Sequence, residues 1–377
     1  MSLTPSDSQA AVIRQIVQWY SDQSSPQEFY LAGYAGVGKS TVANMAIEEL
    51  KSRSSAHKIV TGAYTGKAAH VLRKKGVDNA QTIHSMIYAP VEKADGSIEF
   101  KLAIDGPASE ADLIVLDECS MVGQEIADDI RSFGKKILVM GDPGQLPPIK
   151  GQGAFTVRKP DAFLTEIHRQ AEGSPIIHLA TMARKGERIK PGDYGQGVVV
   201  APLTRESQSA VYNEDTQAIC GKHTVRWAYT QRIRQLRGYA SKSPMPGERI
   251  ICCKNDKTIG IFNGALGTLL SAKPDPMSED FRFDVDLEDS PSTHSDLVVN
   301  PWLFREHFEG KSQRPRMRKG TQEFDWGYVL TCHKAQGSEF PHVTIVDDSG
   351  AFRDDANQWL YTAITRAAEG LTLLLRG

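Results

Sequence analysis

The 377-residue chain has only five cysteines: Cys119, Cys220, Cys252, Cys253 and Cys332. Their odd number and their spacing match no zinc or haem pattern, so they read as reduced thiols of a cytosolic protein. No apolar run approaches the roughly 18 residues of a membrane span. The opening "MSLTPSDSQAAVIRQ" lacks a basic segment followed by an apolar one, so it does not read as a signal peptide. There is no excess of either charge. A net charge of −2 excludes a wholly basic nucleic-acid coat protein, yet leaves room for a local basic groove. Internal repeats and low-complexity tracts are missing as well.

What is present is the texture of an α/β protein. "DSQAAVIRQIVQWY" follows capping residues and places Ala11, Val12, Ile16, Val17 and Trp19 or Tyr20 at helical spacing. "EFYLAGYAGVGKSTVANMAIEEL" reads as strand, glycine loop and helix, and "HKIVTGAYTGKAAHVLRKKG" repeats that plan. "ADLIVLDECSM" and "KKILVMGDPGQLPPI" are further apolar strands. Such alternation predicts a parallel sheet with helices on both faces. Val91, Ile98, Phe100 and Leu102 flank an "ADGS" turn and predict an inserted β-hairpin. "GSPIIHLATMARKGE" predicts a helix, and "HTVRWAYTQRIRQLRGYA" a strand followed by a helix. "GERIICCKN", "NGALGTLLSA", "FRFDVDLED" and "DLVVN" are short strands that suggest a small barrel.

Several stretches carry chemistry. Gly33 to Ser40, "GYAGVGKS", fits the phosphate-loop pattern between a strand and a helix. Its glycines let backbone N–H groups close around phosphates, and the helix start favours the anion. Lys39 would reach the β/γ-phosphates and Ser40 would ligate Mg²⁺. The ligand read from this loop is therefore a nucleotide polyphosphate with Mg²⁺. Asp117 and Glu118 end an apolar strand, where ligands gather in open α/β sheets. Asp117 suits the Mg²⁺ shell, and Glu118 suits polarising a water. Gln145, in a Pro/Gly-rich turn, offers both a donor and an acceptor and could sense the γ-phosphate or orient water.

In order along the chain, these residues resemble a superfamily 1B helicase, the branch of RecD-like and Dda-like DNA helicases. Gln9 resembles the adenine-reading Q motif. "GYAGVGKST" resembles motif I, "AYTGKAA" motif Ia, "AQTIHSM" motif Ib, "DECS" motif II and "GDPGQLPPI" motif III. "LTEIHRQ", "TCHKAQGSEF" and "YTAITRA" resemble motifs IV, V and VI. The resemblance spans Gln9 to Ala367. It implies two RecA-like P-loop motor domains. The first is 1–86 with 106–163, the second 164–250 with 326–377. A hairpin "pin" occupies 87–105 and an SH3-like barrel 251–325.

The resemblance further implies that Gln9, Gly33, Gly36, Val37, Gly38, Lys39, Ser40, Thr41, Gln336, Gly337 and Glu339 bind nucleotide, with Glu339 on the ribose. Arg169 and Arg366 would be arginine fingers, which can contribute about 10³–10⁵ in rate. Thr65, Lys67, His84, Pro143, Thr331 and His333 would contact single-stranded DNA, and Phe100 would stack at a fork. The basic run "KSQRPRMRKG", with Lys311, Arg314, Arg316, Arg318 and Lys319, is a further candidate DNA contact. The implied activity is ATP-driven 5′-to-3′ translocation and unwinding by a cytoplasmic monomer. Its partners would be single strands, forks and replication or recombination proteins, with no membrane. An RNA helicase, a protein-displacing translocase and an ATP-gated clamp share these motifs, and residue patterns leave them open.

Overall fold

In the computed structural model the described residues are 4–53, 58–92, 98–148, 151–165, 173–256, 258–290, 292–310 and 320–376. The chain divides into two compact units, 1–177 and 178–377. No described helix is long and apolar enough to cross a membrane.

The first unit is built on a six-stranded, wholly parallel sheet. Its order is Gln81–Thr82, Ile59–Ala63, Leu113–Asp117, Lys136–Gly141, Glu28–Gly33 and Ala162–Leu164. Successive side chains of a strand point to opposite faces, and here both faces are covered. Leu31, Val115, Leu138 and Met140 pack with Val12, Ile16 and Val17 of helix Asp7–Ser21 and Val42, Ala46 and Leu50 of helix Lys39–Ser52. Tyr30, Ile114, Leu116, Ile137 and Val139 meet Met86, Ile130 and Phe155 on the other face. The helical stripe anticipated from Val12, Ile16, Val17 and Trp19 is therefore the buried one. The hairpin lies at Tyr88–Glu92 and Ile98–Leu102, with Phe100 opposite Pro90. Leu164, expected to open the second motor domain, instead completes the first sheet by pairing with Gly33.

A second six-stranded sheet has the order Val329–Thr331, Gln217–Cys220, Phe340–Val346, Ala367–Leu375, Val198–Pro202 and Gly192–Gly195. Only the last pairing is antiparallel. "HTVRWAYTQRIRQLRGYA" does not begin with a strand. His223–Leu236 is helical from its start, and the strand is the four-residue, fully buried "QAIC" before it. Burial on both faces removes the polar alternation that would mark so short a strand.

Five strands close a barrel: Arg249–Cys252, Leu266–Pro274, Phe281–Leu287, His294–Asn300 and Gln322–Trp326. The fifth runs almost directly into a strand of the second sheet within "DWGYVLT". Trp326 is a barrel residue, and the sheet strand begins at Val329. The chain crosses between them at Gly327, where a Cβ would meet Leu266 at 2.8 Å and the Ile250 carbonyl oxygen at 2.9 Å.

Helix His223–Leu236 holds the barrel through two buried ion pairs. Arg234 grips Glu248 with Nε at 2.6 Å and Nη2 at 3.2 Å, and its guanidinium lies 4.2 Å from the Trp326 ring centre. Arg226 pairs with Asp325, which also accepts from His307 Nε2 at 2.7 Å and from the Trp326 N–H at 2.7 Å. Burial opposes the charge on Asp325, but Arg226 and His307 outweigh it and hold the carboxyl well below its usual range. Removing one partner of a buried pair leaves the other charge uncompensated. Asp325→Ala is expected to cost about 3–5 kcal/mol at neutral pH, read as a lower unfolding temperature. A depressed carboxyl stabilises above its unfolded pKa and loses that contribution as the pH falls. The gap between wild type and variant should therefore narrow below about pH 4.

Candidate functional site

The site in the first unit is assembled at the C-terminal ends of adjacent parallel strands. Strand Glu28–Gly33 feeds a loop in which Gly36 and Gly38 both sit at φ 80°, a region open to glycine at little cost. Gly33 is needed for space as well, since a Cβ there would meet Val37 Cγ2 at 2.6 Å. The Val37 side chain is buried in the helix-side core, so only its backbone faces the loop's interior. Lys39 curls back over the loop, and its Nζ donates to the carbonyls of Gly33 at 2.8 Å and Tyr34 at 3.1 Å. Thr41 follows in the first turn of the helix and is partly buried.

Across from this helix start, Ser40 Oγ donates to Asp117 Oδ2 at 3.3 Å. The Glu118 N–H donates to Asp117 Oδ1 at 2.8 Å. Loss of water around the Asp117 carboxyl, and then the charge of Glu118, push its pKa up to about 6. The Ser40 hydroxyl and the Asp117 carboxylate are hard oxygen groups 3.3 Å apart, a pair that fits a divalent cation such as Mg²⁺. Glu118 adopts φ 53°, ψ 44°, a left-handed conformation that costs a non-glycine residue about 1–2 kcal/mol. Strain of this kind gathers at functional sites. Beneath it the Cys119 thiol is buried and would touch a Cβ at Gly141.

Gln145 is buried, and its Oε1 accepts from Ser120 Oγ at 3.3 Å, two residues beyond Glu118. Its turn is held by Asp142, whose carboxylate accepts from the Gly144 N–H at 2.9 Å and whose carbonyl accepts from the Gln145 N–H at 3.1 Å. Pro143 lies in the same turn, partly exposed. Gln9 is placed differently from a side chain free to read a base. It is buried in a capping box, where its Oε1 accepts from the Ser6 N–H at 3.1 Å and its own N–H donates to Ser6 Oγ at 3.3 Å.

Among the candidate strand contacts of this unit, Thr65 caps helix Gly66–Lys74, with Oγ1 accepting from the Ala68 N–H at 3.1 Å. Lys67 lies in that helix's first turn. His84 and Phe100 come together: the ring centres are 4.6 Å apart, edge to face, and Phe100 is 54% exposed. The sequence reading missed Tyr88, whose ring is 4.6 Å from His84 and whose hydroxyl bonds to Asp129. The one-turn spacing from His84 to Tyr88 was the available signal. Burial lowers the His84 pKa, so the ring is neutral near pH 7.

In the second unit, Thr331 is buried and caps helix Cys332–Ala335, its Oγ1 accepting from the Lys334 N–H at 3.3 Å. His333 lies 5.9 Å from Phe352, which stacks on Trp359 at 5.6 Å. Gln336 is buried, Gly337 has φ 73°, and Glu339 is exposed. Lys334 reaches the barrel by donating to Asn263 Oδ1 at 2.8 Å. A cavity of about 370 Å³, lined by Thr331, Lys334, His223 and Trp302 among others, separates this helix from the barrel. Arg366 does not project as a free finger. It is buried and donates to the carbonyls of Ser338 and Thr362 and to Thr365 Oγ1, each at 3.1 Å. Arg169 and the basic run from Lys311 to Lys319 lie outside the described residues.

Fold and site together define a P-loop nucleotide-binding protein with one wholly parallel and one mostly parallel α/β sheet. An AAA domain family model matches residues 4–196, just over half of the chain, and a UvrD-like helicase C-terminal domain model matches 327–374. The chain belongs to the AAA domain family. It is 28% identical over 363 residues to the ATP-dependent RecD2 DNA helicase of Deinococcus radiodurans, covering 90% of this chain and 46% of that one. The conjugal transfer protein TraA of Agrobacterium fabrum is 25% identical, over 91% and 30% of the two chains. The chain thus spans less than half the length of these relatives. Bacteroides Pif1 helicase with ADP-AlF3 and ssDNA shares the fold at TM-score 0.58 and 18% identity, over 99% of this chain and 92% of that one. Candida albicans Pif1 helicase does so at 0.55 and 17%, over 100% and 95%.

The raised Asp117 pKa has a testable sign. A carboxyl whose folded pKa exceeds its unfolded value lowers stability as the pH rises through that interval. Asp117→Asn should therefore raise the unfolding temperature of the magnesium-free protein at pH 8 and leave it nearly unchanged at pH 4. An equal shift at both pH values would contradict the assignment.

Proposed function

We propose that the chain hydrolyses ATP with Mg²⁺ and couples the cycle to 5′-to-3′ movement along single-stranded DNA and to duplex separation. The observation that carries this reading is the meeting of Lys39, Ser40, Asp117 and Glu118 at one sheet edge. Ser40 and Asp117 would hold the Mg²⁺, which when bound neutralises charge on the β- and γ-phosphates. Lys39 would exchange its loop carbonyls for phosphate oxygens. Glu118 is aimed by its left-handed backbone and would orient the attacking water, with Gln145 beside the γ-phosphate. Arg169 and Arg366 are proposed to stabilise the transferring phosphoryl group. For Arg366 this means leaving the Ser338 carbonyl, so its engagement would loosen the loop that carries Gln336, Gly337 and Glu339.

The strand would be held by Thr65, Lys67, His84, Pro143, Thr331 and His333, which suit backbone contacts without sequence readout. Pro143 and Gln145 share one rigid turn, so a change at the γ-phosphate would move a strand contact directly. The exposed Phe100, propped by His84, suits stacking on a base at a fork. DNA as the substrate is supported by the name of the RecD2 relative, and the polarity by the 1B resemblance alone.

Single-stranded DNA should stimulate ATPase more than RNA does, and 5′-tailed forks should be unwound in preference to 3′-tailed ones. Lys39→Ala should lower ATPase by about a hundredfold or more. Phe100→Ala should reduce unwinding per ATP by about tenfold while leaving DNA-stimulated ATPase intact. Unchanged unwinding per ATP would exclude Phe100 as the wedge.

A further inference from the structure

The second unit holds a groove of about 860 Å³ that shares no residue with the motifs above. It runs between the 3-10 turn Ser207–Tyr212 and helix His223–Leu236. Three guanidinium groups line it, from Arg205, Arg232 and Arg376, and no acid and no lysine does. Arg376 is anchored from below by Asp348 at 2.8 Å, whose side chain is almost wholly buried. Among the described residues Arg232 meets only the amide oxygen of Gln235, at 3.3 Å, and Arg205 has no ion pair. Two of the three positive charges are thus uncompensated, and the first turn of the 14-residue helix adds its positive end.

Between the arginines the wall is apolar. Tyr212 and Tyr229 lie 6.2 Å apart with rings tilted by 52°, and Val225 continues the surface. Both tyrosines are half-buried against the fold, and burial raises the Tyr229 pKa. They present a wall against which a side chain can pack, whereas a single strand needs exposed ring faces to stack successive bases. An apolar centre of tyrosine rimmed by arginine is the make-up of a protein-recognition hot spot. Guanidinium forks match carboxylates two bonds at a time.

We infer that this groove docks an acidic peptide segment of a partner protein, with carboxylates on Arg205, Arg232 and Arg376 and an aromatic or aliphatic side chain against Tyr212 and Tyr229. The inference rests on the groove alone, so it stands or falls apart from the proposed motor activity. The probe is a fluorescein-labelled peptide of consecutive aspartates ending in Phe, followed by anisotropy on the full chain. The wild type should bind it and should ignore the same peptide with lysines. Arg205→Glu with Arg232→Glu should raise Kd by about tenfold or more, as expected for the loss of charge-assisted bonds. The thermal melt should be unchanged, which separates a lost site from a lost fold. Absence of peptide binding, or equal binding by the double variant, would overturn the proposal. So would labelled oligothymidylate that displaces the peptide and loses the same factor in the variant, because the groove would then be a strand contact.

Discussion

The contact of the Ser40 hydroxyl with the Asp117 carboxylate is the interaction on which the site depends. It joins the start of the phosphate-loop helix to the end of a strand two places away in the sheet. Everything around it sets that geometry. Left-handed glycines bend the loop, Val37 pins it into the core, and the left-handed Glu118 lets its own N–H brace Asp117. The resulting carboxylate is costly to charge where it sits, and a divalent cation held there would relieve that cost. A site strained in this way is suited to a nucleotide-driven cycle.

The same economy recurs in the second unit. The segment from Thr331 to Phe340 is a capped turn of helix followed by a loop, and it is gripped from two sides. Arg366 holds the Ser338 carbonyl, and Lys334 reaches the barrel at Asn263. The barrel is in turn fastened to helix His223–Leu236 by Arg226 and Arg234. Sheet, loop and barrel of this unit are therefore coupled through buried and part-buried polar contacts, which fix specific geometries.

The first unit was largely legible in the sequence because its signals are local. The phosphate loop, the acids ending the Leu113–Asp117 strand and the hairpin each lie within a few residues, and turn chemistry announces them. The barrel's first four strands were legible for the same reason. What escaped reading depends on partners far apart in the chain. The barrel's fifth strand went unread, since Asp325 is buried there only with Arg226, 99 residues earlier, beside it. The barrel therefore ends at Trp326, and the next strand begins at Val329. Arg366 reads as an outward finger, although its donors turn inward to carbonyls. Gln9 reads as a base contact, although its oxygen caps a helix. The arginine groove has no sequence signature, because its lining comes from three separated segments.

The central claim is that the nucleotide site drives directional movement along a strand. Displacement of streptavidin from biotinylated oligodeoxynucleotides tests it most directly. With ATP and Mg²⁺ the protein should strip streptavidin from a 3′-biotinylated strand far faster than from a 5′-biotinylated one. Lys39→Ala should do neither. Displacement from neither end by a protein with intact DNA-stimulated ATPase would contradict the claim and leave an ATP-gated clamp in its place.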